Sequence, residues 1–220
     1  MNIYIVIPAH NEADFIAKTL ASLAGQSLQP KRLVVVDDQS SDNTAEVVRE
    51  YAEKYPFIEL VTTTSSEAHL PGSKVINAFQ KGLEKLDSNY DIICKFDADL
   101  IFPKDYLETL AFAFQQNSKL GMYGGFCTVK KKNKWSIEQL TNTDHLRGAL
   151  KAYRKSCFID IKGLTPAMGW DTIDEMKARY HGWKVETNTS LLVKHLKPTG
   201  QQYKKNLPEL FGSSLFRMRY

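Results

Sequence analysis

Ile92-Ile93-Cys94-Lys95-Phe96-Asp97-Ala98-Asp99 is a short apolar run that ends abruptly in two carboxylates. A run of this length, rich in β-branched residues and too short for a helix, reads as a buried strand. Three runs of the same kind precede it: Ile3 to Ile7, Leu33 to Val36 and Ile58 to Thr62. Between them the apolar residues change to helical spacing. Phe15, Ile16, Leu20 and Leu23 share one helical face; Val75, Ile76, Phe79, Leu83 and Leu86 share another. Ser41-Asp42 has the chemistry of a helix cap ahead of Ala45, Val48 and Ala52. Strands alternating with amphipathic helices specify an α/β fold, with parallel strands joined by crossover helices.

Beyond Pro103 the pattern loosens. A helix is expected through Leu110 and Phe114, a Gly-rich strand from Gly121 to Val129, and a surface loop over the polar stretch Lys130 to Lys134. A strand around Cys157 to Ile161, a helix beginning near Asp171 and a short strand before His195 complete the expectation. No repeat, linker or low-complexity segment interrupts the chain.

At 220 residues the chain suits one catalytic unit, 1–220, with one substantial core. The content of 43% apolar and 25% charged residues excludes a disordered, fibrous or disulfide-stapled protein. A formal charge of +4 implies only mild attraction to anions, and a nucleic-acid partner is not expected. Cys94, Cys127 and Cys157 are odd in number and sit in apolar surroundings, as buried thiols in a reducing compartment would. The opening run from Ile3 is about a third of the length that spans a bilayer, so it reads as a strand in a cytoplasmic protein.

In open parallel sheets, ligands bind beyond the carboxyl ends of the strands. Here those ends are acidic. Strand one runs into Pro8-Ala9-His10-Asn11-Glu12, strand two into Asp37-Asp38-Gln39-Ser40-Ser41-Asp42, and strand four into Asp97-Ala98-Asp99. The triplet is unspecific by itself, since thirteen aspartates produce about 0.8 such triplets by chance. Its position directly after a buried strand gives it weight. Two carboxylates at period-two spacing project together and offer hard oxygen ligands to Mg²⁺ or Mn²⁺. Asp37 and Asp38 can accept hydrogen bonds from a base N–H or a ribose hydroxyl, while Asp42 suits a helix cap.

Together, Pro8-Ala9-His10-Asn11-Glu12, Val35-Val36-Asp37-Asp38-x-Ser40-x-Asp42-x-Thr44 and Asp97-Ala98-Asp99 resemble the signature of the family-2 glycosyltransferases of GT-A fold. The similarity continues through Gly72 to Gly82, and through Gly163-Leu164 and Gly169-Trp170-Asp171 to Gly182-Trp183. The resemblance implies a single GT-A domain with a mostly parallel central sheet. Residues 1–102 would be its nucleotide-binding half and 103–200 its acceptor and catalytic half. It implies a nucleotide-sugar donor, with UDP-sugars favoured, and Mn²⁺ or Mg²⁺ bound by Asp99. Asp97 would lie near the ribose and donor sugar, and Pro8, Glu12, Asp38 and Lys74 would contact the nucleotide. Lys74 also reads as an exposed lysine at a helix start.

Inverting transfer needs a base opposite the leaving nucleotide, and by resemblance Asp171 occupies that position, with Asp174 in reserve. A structural reading stands beside it: Asp171 as an N-cap, with Asp174 and Glu175 complementing the helix dipole. Where some members carry a Glu-Asp pair, this chain has Trp170-Asp171, so Trp170 either stacks on an acceptor sugar or fills the core. His195 stands where some members present a histidine to the metal, and Asp144 to Gly148 is a candidate donor-sugar wall. The basic-aromatic tail 201–220 suits contact with the inner face of the plasma membrane and a lipid-linked acceptor, or a solvated surface with a saccharide acceptor. A sugar nucleotidylyltransferase is the rival enzyme class, but it needs a Gly-rich basic loop where this chain has Pro8 to Glu12. A non-catalytic nucleotide-sugar-binding domain is the other rival.

Overall fold

The computed structural model describes residues 1–63, 72–138 and 144–197. Strands β1 (Ile3–Ala9), β2 (Arg32–Asp38), β3 (Ile58–Thr63) and β4 (Ile92–Phe96) lie in the order β3-β2-β1-β4, and every pairing among them is parallel. Helices α1 (Ile16–Ala24), α2 (Thr44–Lys54) and α3 (Ser73–Leu83) make the crossovers. β1 and β4 are covered on both faces, which is why they read as continuous apolar runs and not as alternation. The predicted helical stripes are buried as expected: Ile16, Leu20 and Leu23 on α1, and Ile76 and Phe79 on α3.

The second half adds β5 (Leu100–Ile101), α4 (Tyr106–Gln116), β6 (Leu120–Lys131), β7 (Lys134–Ile137), β8 (Leu150–Arg154), α5 (Lys155–Asp160), α6 (Trp170–Tyr180) and β9 (Lys184–His195). The sheet runs on from β4 as β8-β6-β9-β5, with β7 on β6. Only Asp97, Ala98 and Asp99 separate β4 from β5 in the chain, yet β8, β6 and β9 intervene in the sheet. Three residues span only about 10 Å, so the sheet must curl back on itself at this point.

Two local expectations are corrected. Lys130 to Lys134 is a tight β-hairpin and not a loop: Lys132 (φ 43°) and Asn133 (φ 66°) both adopt the left-handed conformation that matches the twist of paired strands. Cys157 to Ile161 is not a strand. Cys157, Phe158 and Ile161 are buried at helical spacing on and just past α5, and the strand is the preceding Leu150–Arg154. The three cysteines are buried and free, matching expectation. Among the described residues no helix is long and apolar enough to cross a membrane. The tail 201–220 lies outside the described residues.

Gly82 sets how closely α3 lies on the sheet. A Cβ there would come within 2.4 Å of Val6 Cγ1 and 2.9 Å of Val36 Cγ2, both fully buried in β1 and β2. Gly82→Ala should therefore lower stability by about 1–3 kcal/mol through overpacking, despite alanine's better helix propensity. Urea denaturation measures this; an unchanged or raised midpoint would contradict the close approach.

Candidate active site

The first two strand ends are stitched into one rim. Asn11 (φ 54°) and Gln39 (φ 56°) take left-handed backbone conformations that turn the chain sharply after β1 and β2. Asn11 Oδ1 accepts from the Ser41 amide at 2.8 Å, Ser40 Oγ accepts from the Asn11 amide at 2.9 Å, and Thr44 Oγ1 accepts from the Glu12 amide at 2.8 Å. Asp42 accepts from the amides of Ala13 and Thr44 at 3.1 and 3.0 Å. Burial opposes the charge of Asp42, but the Thr44 hydroxyl and these amides hold its carboxyl below the usual aspartate range; the N-cap of α2 is Asn43, so Asp42 bonds the first turn from one residue before the cap. His10 Nδ1 donates to the Asp38 carbonyl at 2.6 Å. Near the end of β1 Pro8 pairs with Val36, and the last residue, Ala9, with Asp37. Asp37 and Asp38 are buried at the tip of β2, and Asp37 Oδ1 is enclosed without a hydrogen-bond partner. A buried acceptor in that state is suited to a donor N–H or O–H brought by a ligand.

β5 and β9 assemble the next part. Leu100 pairs with His195, Ile101 with Lys194, and the Leu196 amide donates to the Asp99 carbonyl at 2.9 Å. Buried Thr19 on α1 fixes the turn between β4 and β5: its Oγ1 donates to the Ala98 carbonyl at 2.7 Å and accepts from the Leu100 amide at 3.0 Å. As a result, ligand-capable atoms of Asp97, Asp99 and His195 lie within 4.8 Å of one another. His195 Nε2 is 3.3 Å from Asp99 Oδ2, and Nδ1 is 3.3 Å from Glu138 Oε2. Burial works against a charge on His195, but Asp99 and Glu138 raise its pKa to about 9. Two carboxylates and an imidazole form a donor set that fits Mn²⁺, and Mg²⁺ with more of its shell left to water and phosphate. The second cluster, Cys127, Glu138 and His195, fits a metal poorly. The Cys127 sulfur is a soft donor, less suited to Mg²⁺ or Mn²⁺ than the carboxylate oxygens of the first cluster.

Glu12 closes the rim from the other side through an ion pair with Lys197 at 2.5 Å. Burial raises its pKa, with Asp99 and Asp97 adding to the effect and Lys197 opposing it. Lys74 stands half-buried in the first turn of α3.

Asp171 lies in the first turn of α6, where the N-cap is Gly169, so it is not the cap. Gly148 brings it near the acidic cluster. The Gly148 carbonyl accepts from Lys95, whose ammonium also pairs with Asp97, while a Cβ on Gly148 would lie 3.2 Å from Asp171 Oδ2. The Asp171 side chain keeps 34% exposure, and its Oδ2 is 3.7 Å from His145 Nε2. His145 holds the Asp171 carboxyl below the usual range, and Asp171 with Glu175 raises His145 to about 9. Asp174 is buried: it accepts from Lys151 at 2.7 Å and from the Tyr153 hydroxyl. That position removes it as a base and makes it a core residue. Trp170 is buried too, its ring 5.2 Å from the Lys95 ammonium and 5.6 Å from that of Lys151, so it fills the core and does not face a sugar.

Sequence reasoning missed Glu138, Lys95, Lys151 and the role of His145. A lysine inside an apolar strand, as at Lys95, was the one available signal.

The profile of glycosyl transferase family 2 matches residues 4–170. The chain belongs to that family. It is 33% identical to the probable glycosyltransferase YdaM of Bacillus subtilis over 64% of this chain and 33% of the relative. It is 25% identical to a poly-β-1,6-N-acetyl-D-glucosamine synthase of Staphylococcus epidermidis over 60% of this chain and 30% of the relative. The chain thus spans about a third of the length of the curated relatives it matches. In fold it is similar to a mannosyltransferase of Pyrobaculum calidifontis in complex with GDP-Man and Mn²⁺ (TM-score 0.69, 19% identity, 93% of this chain and 59% of that one). It is also similar to S. aureus TarS in complex with UDP-GlcNAc (TM-score 0.67, 19% identity, 93% and 61%). These likenesses establish the GT-A fold.

The His145 pair makes a stability prediction. Its folded pKa of about 9 lies above the unfolded value, so its stabilisation is complete below about pH 6.5 and is lost as the pH rises through about 9. His195 acts in the same direction and window, so a variant is needed to isolate His145. His145→Gln should show a smaller fall in Tm between pH 6 and pH 9.5 than the parent protein; an identical fall in both would refute the pairing.

Proposed function

We propose that this chain is the catalytic domain of a metal-dependent, inverting glycosyltransferase. In this reading it moves a sugar from a nucleotide diphosphate donor, a UDP-sugar by preference, to a hydroxyl of a saccharide or lipid-linked acceptor. It would act at the cytoplasmic side of the membrane, in cell-surface polysaccharide or glycolipid synthesis. The carrying observation is the Asp97, Asp99 and His195 cluster, together with the partly exposed Asp171 packed against Gly148, whose carbonyl bonds the Lys95 that pairs with Asp97. The donors named with related structures, UDP-GlcNAc and GDP-Man with Mn²⁺, support a nucleotide sugar and a divalent cation.

Residues 1–102 bind the nucleotide and residues 103–200 the acceptor. Pro8 and Asp38 border the base, Asp37 Oδ1 supplies a buried acceptor for it, and Glu12 and Lys74 flank the nucleotide. Asp99 and His195 would hold the cation, which would supply positive charge to offset the diphosphate leaving group. Asp97 orients the ribose and donor sugar, its carboxylate held in place by Lys95. Asp171, kept ionised by His145, takes the proton from the acceptor hydroxyl. The acceptor oxygen then attacks the anomeric carbon from the face opposite the nucleotide, which inverts the configuration. The backbone of Asp171 is anchored through its carbonyl to Lys151, so the carboxylate is aimed by a buried contact.

The two roles separate by experiment. Asp99→Ala should cut donor turnover by at least ~100-fold and abolish Mn²⁺-dependent thermal stabilisation by a panel of UDP-, GDP- and dTDP-sugars. Full activity under controlled metal would overturn the metal assignment. Asp171→Asn should lose about 10²–10⁴-fold in kcat while keeping donor-induced stabilisation, because only the base is removed. Retention of kcat would send the base role elsewhere. Pyrophosphate-dependent exchange on a sugar nucleotide, in place of nucleotide diphosphate release, would identify the nucleotidylyltransferase; neither reaction would leave a binding domain.

A further inference from the structure

Glu138 lies far from the acidic strand ends in sequence, yet it touches the cluster. Strand β6 brings it there, because it is the shared neighbour of β7 and β9. On one side of β6, Thr128 pairs with Ile137, and the Glu138 amide donates to the Cys127 carbonyl at 2.9 Å. On the other side, Thr128 pairs with Lys194 and Val129 with His195. The Glu138 and His195 side chains therefore meet across one end of a single strand, with 6% and 7% exposure. Glu138 Oε2 is 3.3 Å from His195 Nδ1 and 3.2 Å from Arg147 Nη2, and Arg147 is itself 12% exposed.

The chemistry of that contact is directional. An ionised carboxylate only accepts hydrogen bonds, so His195 Nδ1 must carry the proton. Asp99 Oδ2, 3.3 Å from Nε2, draws a second proton there by the same rule, and it is this proton that a cation beside Asp99 would displace, freeing the Nε2 lone pair while Glu138 keeps the Nδ1 proton. We propose that Glu138 is a positioning residue for the cation site. Held by Arg147, it fixes the ring plane and tautomer of His195 so that Nε2 is presented together with Asp97 and Asp99. A carboxylate behind a metal-binding imidazole also strengthens the ring as a ligand. The inference rests on the proposed role of His195.

The test measures cation binding directly, apart from turnover. Mn²⁺ alone is titrated into the protein and free Mn²⁺ is followed by EPR. His195→Ala tests the underlying reading, and Glu138→Gln tests the inference, since an amide can donate to Nδ1 and reverse the tautomer. Glu138→Gln is expected to bind Mn²⁺ about 10–100-fold more weakly, with Glu138→Asp restoring part of the loss. Binding within twofold of the parent protein overturns the inference. If His195→Ala itself binds as the parent does, the role of His195 has failed and Glu138 falls with it. Histidine ¹⁵N NMR of the unaltered protein with Mg²⁺ gives a reading independent of whether any variant folds. With saturating Mg²⁺, a protonated Nδ1 and unprotonated Nε2 on His195 supports the proposal, and the reverse tautomer or a ring that keeps both protons overturns it.

Discussion

The pairing of β5 with β9 is the constraint on which the site depends. β5 has only two residues, too few to hold a position by itself, and it is fixed from both sides. Leu100 and Ile101 bond to the end of β9, while Thr19 reaches from α1 to both sides of the turn that precedes β5. A hydroxyl buried in this way costs little only because both its donor and acceptor capacities are used. Through these contacts the tight turn after β4 aims Asp97 and Asp99 at a histidine almost a hundred residues away.

Below the site lies a charged layer that a fold built for stability alone would avoid. Lys95 and Lys151 are directly opposite in β4 and β8, and both ammonium groups are buried. Like charges in cross-strand contact repel, and each buried ion carries a desolvation cost. The arrangement persists because each lysine has its own acceptors: Asp97 and the Gly148 carbonyl for Lys95; Asp174, Glu175 and the Asp171 carbonyl for Lys151. The Trp170 ring lies against both ammonium groups and adds cation–π attraction. Lys95 ends at the acidic triplet and Lys151 at the backbone of Asp171, so the layer ties both parts of the candidate site to the sheet.

The parts of the fold legible in the sequence were those whose signal is local. Strands β1, β2 and β4 are buried almost throughout and so appear as apolar runs, and α1 and α3 carry clear stripes. The second half was harder. The hairpin at Lys132 and Asn133 lacks the glycine that usually marks such a turn, and the buried pair Cys157-Phe158 looks the same in a strand as in a short helix. Trp170 and Asp174 were readable as site residues because burial is a property of the assembled sheet and not of the motif around them.

The sequence by itself determined the α/β class, the acidic strand ends and the family, because each is carried by contiguous residues whose spacing survives without any tertiary contact. Only the folded sheet decided which distant groups meet. His195 reaches Asp99 through strand register, Glu138 reaches His195 across β6, and His145 reaches Asp171 at the start of α6. Register is set by long-range pairing and packing, and a linear reading of residue types does not contain it.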